Sequence, residues 1–232
     1  MNKYEISKRI ENFAPLETAE PWDCSGWVVD NAEKNVSKIM LCLTVTGDIV
    51  NQARKNHCDM IVSHHPLFFV PIDWRDINMY SAHTNLDKAN GGTTDTIITT
   101  LGLDKYRISS DHEFLRFIEF KDGIKVKDFS QIISLNFPQA RLVNNRHETI
   151  LNRIAFCAGS GSEFIREAKI LGADCLVTGD LKFHTALDSE IVVYDIGHFD
   201  SEILILPILQ NLLGKDVKII FAEENSPFSP VC

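Results

Sequence analysis

The sequence predicts an α/β protein made of two similar lobes, and two observations lead to this fold class. Continuous apolar runs of strand length, such as the one from Lys38 to Val45, are typical of strands covered on both faces. These runs alternate with segments of helical periodicity. The order strand, helix, strand also occurs twice at an offset of 115 residues, at which Ile39 corresponds to Ile154 and Val62 to Val177. We therefore expect an internally duplicated α/β structure.

The duplication divides the 232 residues into a first lobe at 1–120 and a second at 121–232, which we expect to form one integrated unit. The first lobe carries about eight extra residues near 17–24, and an inserted loop on a repeated scaffold is a common place for function. The predicted elements are helix 4–13, strand 26–29, strand 38–45, helix 49–56 capped by Asp48 and strand 59–63, and then helix 125–138, strand 154–158, helix 162–171 and strand 174–178.

The composition is that of an ordinary globular protein, with 44% hydrophobic and 24% charged residues. A formal net charge of −9 argues against stable binding to nucleic acid or to an anionic membrane. No N-terminal signal is visible, and the longest apolar segment, 203–213, is too short to span a bilayer. The six cysteines show no Cys-x-x-Cys spacing and several lie in apolar runs, so we expect buried thiols and a cytoplasmic location.

The residues that carry chemistry follow a spacing found in both halves, a histidine with a carboxylate four residues later. His83 with Asp87 and His198 with Glu202 form the two copies, and a helical turn would bring each carboxylate back towards its histidine. Ser63-His64-His65-Pro66 adds two imidazoles at the end of a predicted strand. Imidazole nitrogen and carboxylate oxygen suit zinc, iron and manganese alike. Since ligands gather at the carboxyl ends of strands, we expect one metal centre in the cleft between the lobes.

Gly179-Asp180 stands in the second half where the first half has the two adjacent histidines, and His184 follows Asp180 at a spacing of four. Three roles are open for them: partners that orient metal ligands, a general acid/base pair, or a helix start at Asp180. We favour an active-site role over direct metal binding. Gly91-Gly92 is interpreted as a turn before a helix at 95–101.

Taken in order along the chain, these segments resemble a known family. The residues that carry the resemblance are Trp22-Asp23 with Gly26, Ser63 to Phe69, His83 to Asp87 with Gly91-Gly92, Thr178-Gly179-Asp180 with His184, Gly197-His198 with Ser201-Glu202, and Ser226-Pro227-Phe228. As a set they resemble the dinuclear metal-centre family of GTP cyclohydrolase I type 2 homologues, also called the NIF-three-like family, over essentially the whole chain. Cys24, where an asparagine is usual, and Asp180, where a glutamate is usual, depart from the family pattern.

The resemblance implies two divalent metal ions per chain and a toroidal homo-hexamer with its sites facing an interior cavity. The metal ligands that it implies are His64, His65, Asp87, His198 and Glu202. We expect catalytic roles for His184, Asp180 and His83. Trp22 and Asp23 of the inserted loop are expected to bind the substrate, with the indole of Trp22 stacking on a base.

The leading hypothesis is a dinuclear-metal-dependent hydrolase whose substrate is a small molecule, a nucleotide. The family-implied reaction is opening of the GTP purine ring by water that the metals activate. Two alternatives stay open, because each would use the same ligands. One is a phosphoesterase on the same metal centre, and the other is a non-catalytic metal-binding or interaction protein.

Overall fold

The computed structural model describes residues 1–108 and 112–229. Its strands are β1 (Gly26–Val29), β2 (Lys38–Thr44), β3 (Met60–His65), β4 (Asn78–Ser81), β5 (Arg107–Ile108), β6 (Arg116–Lys125), β7 (Arg141–Val143), β8 (Ile150–Phe156), β9 (Cys175–Thr178), β10 (Val192–Asp195) and β11 (Lys218–Phe221). Its α-helices are α1 (Lys3–Phe13), α2 (Gly47–Lys55), α3 (Thr84–Lys88), α4 (Thr93–Thr100), α5 (Val126–Asn136), α6 (Ile165–Ile170), α7 (Phe183–Asp188), α8 (His198–Glu202) and α9 (Leu206–Leu213). Across these two ranges, no helix is long and apolar enough to cross a membrane.

The predicted α/β class is confirmed, since two sheets alternate with helices along the chain. Two local predictions need correction. The helix after β2 is capped by Thr46, whose hydroxyl accepts a hydrogen bond from the backbone N–H of Ile49, while Asp48 lies inside the first turn and bonds to Gln52. The helix predicted at 162–171 is a 3-10 turn followed by the short α6.

The first compact unit comprises Met1–Gly92 and the chain from Ile205 on. Its sheet has the order β1-β4-β3-β2-β11, in which all neighbours are parallel except the edge pair β1 and β4. Met40 and Cys42 of β2 pack in one apolar cluster with Ile49 and Ala53 of α2. The apolar face of α9 contacts β2 and α1. Because helices pack on it, β2 is buried over its whole apolar run, as its sequence predicts.

The second compact unit comprises Thr93–Leu204. Its sheet has the order β5-β6-β8-β9-β10-β7, with β8, β9 and β10 parallel and the other pairs antiparallel. One apolar cluster joins α4 and α5 to this sheet, and another joins it to Ala168 of α6. Cys157 and Cys175 are buried in these clusters, as are Cys42 and Cys58 in the first unit. Cys24 is exposed, and Cys232 lies outside the described residues.

The two sheets repeat one arrangement at the offset read from the sequence. Ile39 of β2 pairs with Met60 of β3, and Ile154 of β8 pairs with Cys175 of β9, so both partners are displaced by 115 residues. In both sheets an antiparallel edge strand, β1 or β7, lies beside a strand of the parallel set, β4 or β10. Each unit by itself therefore has the strand order that the duplication predicts.

The boundary between the units differs from the predicted one near residue 120. The chain from Ile205 on belongs to the first unit because β11 pairs with β2 and α9 packs on α1. Residues 93–120 belong to the second unit because β5 and β6 complete its sheet and α4 joins its core. Both segments join the other unit through strand pairing and packing with residues far away in the sequence. A boundary drawn at one point along the chain does not describe such contacts.

Candidate metal centre

The first group of candidate ligands lies at the carboxyl edge of the first sheet. His64 and His65 are the last residues of β3, which therefore extends beyond its predicted end. β3 is parallel to β4, so both strands end at the same edge. His83 follows β4 directly before α3. This edge is the usual ligand position in an α/β sheet, and the fold brings all three imidazoles to it.

The three imidazole rings form a tight cluster. Their centroids are 4.9 Å apart for His64 and His65, 5.1 Å for His64 and His83, and 5.5 Å for His65 and His83. One nitrogen from each ring lies within 4.8 Å of the others, which suits ligands of a common metal ion. The alternation of side chains along an extended strand does not separate His64 from His65, since both rings face the same cluster.

Each of the three rings is held by a hydrogen bond on its Nδ1 atom. The three pairs are His64 with the Ala82 carbonyl at 2.8 Å, His65 with the Thr44 hydroxyl at 2.6 Å, and His83 with Asp23 Oδ1 at 3.0 Å. The Ala82 carbonyl and the Asp23 carboxylate only accept, so for His64 and His83 they select the tautomer whose Nε2 carries the lone pair. The Thr44 hydroxyl either accepts from His65 or donates to it. Such partners orient metal-binding histidines and make their other nitrogen more basic. None of these partners except Asp23 was singled out by the sequence.

Asp87 contributes a carboxylate to this group. Its Oδ1 atom lies 3.5 Å from Nε2 of the fully buried His64. That separation exceeds an ordinary hydrogen bond. It suits two ligands of one ion, because Zn–N and Zn–O bonds are each about 2.0–2.2 Å long. The spacing of four suggested that Asp87 would turn towards His83. Its backbone N–H does bond to the His83 carbonyl, but its carboxylate faces His64.

Asp23 of the inserted loop is occupied by hydrogen bonds from its own chain. Oδ2 accepts from the Thr84 N–H at 3.0 Å, the Thr84 hydroxyl at 2.5 Å and the Ser25 hydroxyl at 2.8 Å, while Oδ1 faces His83. Burial alone would raise the pKa of Asp23, but the bonds from Thr84, His83 and Ser25 outweigh it and hold the pKa well below its usual range. The geometry therefore places Asp23 where it orients the ring of His83, and the substrate contact expected from the sequence stays a prediction.

The inserted loop is fastened to α3 at a second point. The backbone N–H of Glu20 donates to the Thr84 hydroxyl at 2.9 Å, and its carboxylate pairs with Lys88 at 2.6 Å. Trp22 remains 61% exposed, with its ring edge-on to His83 at a centroid distance of 6.1 Å. A fastened loop that presents an exposed indole beside the imidazole cluster is suited to hold a flat ligand.

The second group of candidate ligands lies at the carboxyl edge of the second sheet. β9 and β10 are parallel neighbours, and Asp180 and His198 follow their ends. Nδ1 of His198 lies 2.7 Å from Asp180 Oδ2, and Nε2 lies 3.0 Å from Glu202 Oε2. The hydrogen bond that His198 donates to Glu202, opposed by burial and assisted by Asp180, raises the pKa of His198 to about 9. A proton on His198 thus occupies the position between imidazole and carboxylate where a metal ion would bind.

Asp180 and His184 are not brought together. The carboxylate of Asp180 bonds to His198, and its backbone adopts the left-handed conformation at φ 53°. α7 begins after Lys182 without a side-chain cap, so Asp180 is not a helix start. His184 is exposed on α7, where its ring contacts that of Phe183. Of the three open roles, the structure supports an orienting one for Asp180, and it gives the predicted acid/base pair no shared contact.

Two glycines pack closely against the histidine–carboxylate pair of the second sheet edge, and the sequence did not single out Gly159. A Cβ atom on Gly159 would lie 2.0 Å from Glu202 Oε1, and one on Gly179 would lie 2.7 Å from the backbone nitrogen of His198. The N–H of Gly159 donates to the Ser201 hydroxyl at 2.9 Å. Gly159-Ser160-Gly161 begins three residues after the end of β8, and two glycines shortly after a buried strand are a signal that points to close backbone approach. Gly91-Gly92 precedes α4 as predicted, with Gly91 at φ 78°.

Both groups have the chemistry that divalent metal ions require. Each combines neutral-capable imidazole with carboxylate, and each histidine has an Nδ1 partner that directs Nε2 inward. The Nδ1 atoms of His65 and His198 thus have different kinds of partner, the Thr44 hydroxyl and the Asp180 carboxylate. The residues present fit metal binding at both sheet edges.

Comparisons with known proteins show the family of the chain. A family model described as Duf34/NIF3 (NGG1p interacting factor 3) matches residues 1–227. The chain belongs to this family. The resemblance read from the ordered motifs is therefore confirmed.

Individual relatives match over nearly their whole length. A protein of Clostridium perfringens (strain 13 / Type A) named GTP cyclohydrolase 1 type 2 homolog is 32% identical, and the match covers 98% of this chain and 99% of the relative. Reduced HcgD from Methanocaldococcus jannaschii superposes with a TM-score of 0.83 at 27% identity, covering 97% of this chain and 98% of that one. A Bacillus cereus protein related to NIF3 gives a TM-score of 0.85 at 19% identity, covering 100% and 99%, and shows the same fold.

Proposed function

We propose that this member of the Duf34/NIF3 family is a dinuclear-metal-dependent hydrolase that opens the purine ring of GTP or a related nucleotide. The proposed ligands of the two metal ions are His64, His65, Asp87, His198 and Glu202. The observation that supports the proposal most is the hydrogen bond on Nδ1 of every clustered histidine, because it directs Nε2 to the cluster. The name of the Clostridium perfringens relative supports the choice of reaction.

Divalent metal ions bound there would lower the pKa of a water molecule and polarise the substrate. The chain's own residues supply orientation and proton transfer. His83 is paired with the buried Asp23 at 3.0 Å, an arrangement that favours its Nε2 atom as a proton acceptor and stabilises the imidazolium that follows. We assign His83 the general acid/base role and assign Asp180 the orientation of His198. The exposed position of His184 supports no more than a contact with substrate.

A nucleotide suits the surroundings of His83. The indole of Trp22 is exposed and offers a flat face for a purine base. Asp23 and Thr84 fix the loop that carries it, so the indole is held beside the imidazoles before substrate arrives. The net charge of −9 disfavours an anionic substrate at long range, and bound metal ions would offset that field locally.

The proposal is tested by metal content and by formate release. Inductively coupled plasma analysis of gently purified protein is expected to show about two metal ions per chain. Formate released from GTP is expected with zinc, iron or manganese and is expected to disappear in a His64→Ala/Glu202→Ala double variant. Less than one ion per chain, or unchanged formate release in the double variant, would refute the proposal. Tight metal binding without turnover on any nucleotide would favour a metal-binding or interaction protein.

A homo-hexamer located in the cytoplasm remains part of the proposal. Three large apolar side chains of the segment after β3 support assembly, since Phe68, Phe69 and Ile72 are 73%, 80% and 87% exposed. Apolar groups so close together on a surface are typical of a subunit contact. The oligomer mass in solution tests this.

A further inference from the structure

The end of β2 lies next to the imidazole cluster and is held by a residue from the far end of the chain. β11 pairs with β2 through Phe221, and the Ala222 N–H still donates to the Leu41 carbonyl. Beyond that point β11 no longer accompanies β2. The carboxylate of Glu224 takes its place, with Oε1 accepting from the Leu43 N–H at 2.6 Å and Oε2 lying 3.4 Å from the Thr44 nitrogen.

This carboxylate is held in position by its own segment. The side chain of Gln52 on α2 bonds to both backbone groups of Glu223, donating to its carbonyl at 2.9 Å and accepting from its N–H at 2.9 Å. Glu224 is half-buried, whereas Glu223 beside it is exposed. The carboxylate therefore reaches β2 from a fastened stretch of backbone.

Thr44 connects this contact to the candidate metal ligands. Its backbone nitrogen lies next to Glu224, and its hydroxyl lies 2.6 Å from Nδ1 of His65. Thr44 and His65 are also register partners in the sheet, so a shift at the end of β2 moves the hydroxyl relative to the ring. Thr44 itself is exposed, and its hydroxyl is directed at the ring by this hydrogen bond.

We propose that Glu224 is a positioning residue for His65, acting through the backbone of β2 and the hydroxyl of Thr44. The proposal rests on the proposed function only in treating His65 as a metal ligand. Glu224 keeps the end of β2 in line where β11 has left it, Thr44 then accepts the Nδ1 proton of His65, and Nε2 is presented to the metal. Through Glu224, the C-terminal segment thereby helps to orient His65.

The test compares Glu224→Ala, Thr44→Val and the double variant in Co²⁺ titrations. Outer-shell partners typically contribute about 10- to 100-fold to metal affinity, so Thr44→Val is expected to weaken Co²⁺ binding by about that factor. Glu224→Ala, one bond further out, is expected to weaken it by about 3- to 10-fold. Because Glu224 acts through Thr44, its removal is expected to have no further effect in the Thr44→Val background. Glu223→Ala is the matched control and is expected to bind Co²⁺ like the wild type.

A second measurement needs no metal. In ¹⁵N-labelled metal-free protein, the imidazole signals of His65, assigned by their loss in His65→Gln, are expected to report the Nδ1–H tautomer. They are expected to move towards a tautomer mixture in Glu224→Ala. Glu224→Gln keeps an oxygen for the Leu43 N–H and is expected to restore the wild-type signals, which also guards against a variant that fails to fold.

Two results would overturn the proposal. One is an equal loss of Co²⁺ affinity on removing Glu224 with and without the Thr44 hydroxyl, which would show a general loosening. The other is a Glu224→Ala variant with wild-type His65 signals. If the wild type binds no Co²⁺, the proposed function fails, while the tautomer measurement still decides the role of Glu224.

Discussion

Substitution of Gly159 by alanine offers a direct test of how the second sheet edge is built. The residue has φ +63°, and its Cβ atom would lie 2.0 Å from Oε1 of Glu202. Gly102 supplies a matched control, because it has φ +68° with nothing within 4 Å of its Cβ position. Both substitutions introduce the same backbone strain, and only the one at Gly159 also displaces the carboxylate.

The magnitudes follow from these two contributions. An alanine in the left-handed region costs about 1 kcal/mol, which both variants share. Glu202 is buried and relieves the overlap by moving its carboxylate, and we expect this movement to break the 3.0 Å contact between its Oε2 atom and His198. A hydrogen bond to a charged group contributes about 1.5–3 kcal/mol. We therefore expect Gly159→Ala to lower the free energy of unfolding by about 2.5–4 kcal/mol and Gly102→Ala by about 1 kcal/mol.

The more specific measurement is the pKa of His198 in metal-free protein, followed by NMR. Glu202 is the largest cause of the raised value of about 9, so Gly159→Ala is expected to move the pKa towards 6.5. Gly102→Ala is expected to leave it unchanged. Urea unfolding of both variants measures the stability difference. A wild-type pKa in Gly159→Ala, with stability equal to that of Gly102→Ala, would refute the close packing of Gly159 on Glu202.

Three further predictions concern other parts of the chain. Asp23→Asn places a donor against the two donors of Thr84 and is expected to lower the free energy of unfolding by about 1–3 kcal/mol. Asp122→Asn changes an exposed residue of β6 and is expected to be neutral in the same urea assay. The pKa of His198 in the folded protein, about 9, lies above its ordinary value of 6.5. Protonated His198 therefore stabilises the metal-free protein fully below pH 6.5, and this stabilisation is lost as the pH rises through 9. This loss of unfolding free energy is on the order of 1–2 kcal/mol once screening by solvent is included, and it is expected to be absent in His198→Gln. An equal pH dependence of stability in the wild type and in His198→Gln would contradict the prediction. Phe68→Ser/Phe69→Ser is expected to reduce the mass found by light scattering, and an unchanged mass would exclude these side chains from the subunit contact.

Local patterns explain why most elements were predictable. The stripe of α1 and the apolar run of β2 are each contained in about ten consecutive residues, and the structure places both within one or two residues of the prediction. Asp48 is the predicted cap of α2, yet Thr46 holds the capping position. Choosing between two capable residues two positions apart requires the backbone angles, which the sequence does not contain.

The composition of the candidate site was also visible in the sequence. Two histidine–carboxylate spacings and an adjacent histidine pair named the ligand types, and the duplication placed them after parallel strands. The roles of the surrounding residues were harder to assign. Asp23 was expected to contact substrate, but Thr84, Ser25 and His83 occupy its oxygens. Which partner satisfies a carboxylate depends on the side chains that the fold brings within 3 Å of it.

The sequence by itself determined the α/β class, the duplicated strand order and the identity of the imidazole and carboxylate groups, because these follow from local periodicity and from spacing. Tertiary structure alone decided which atom of each imidazole is directed inward. The deciding partners are Thr44 for His65, Ala82 for His64, Asp23 for His83 and Asp180 for His198. They lie 18 to 60 residues from their histidines along the chain. Strand register and a fastened loop bring them into contact, and a hydrogen bond of about 3 Å then selects the tautomer.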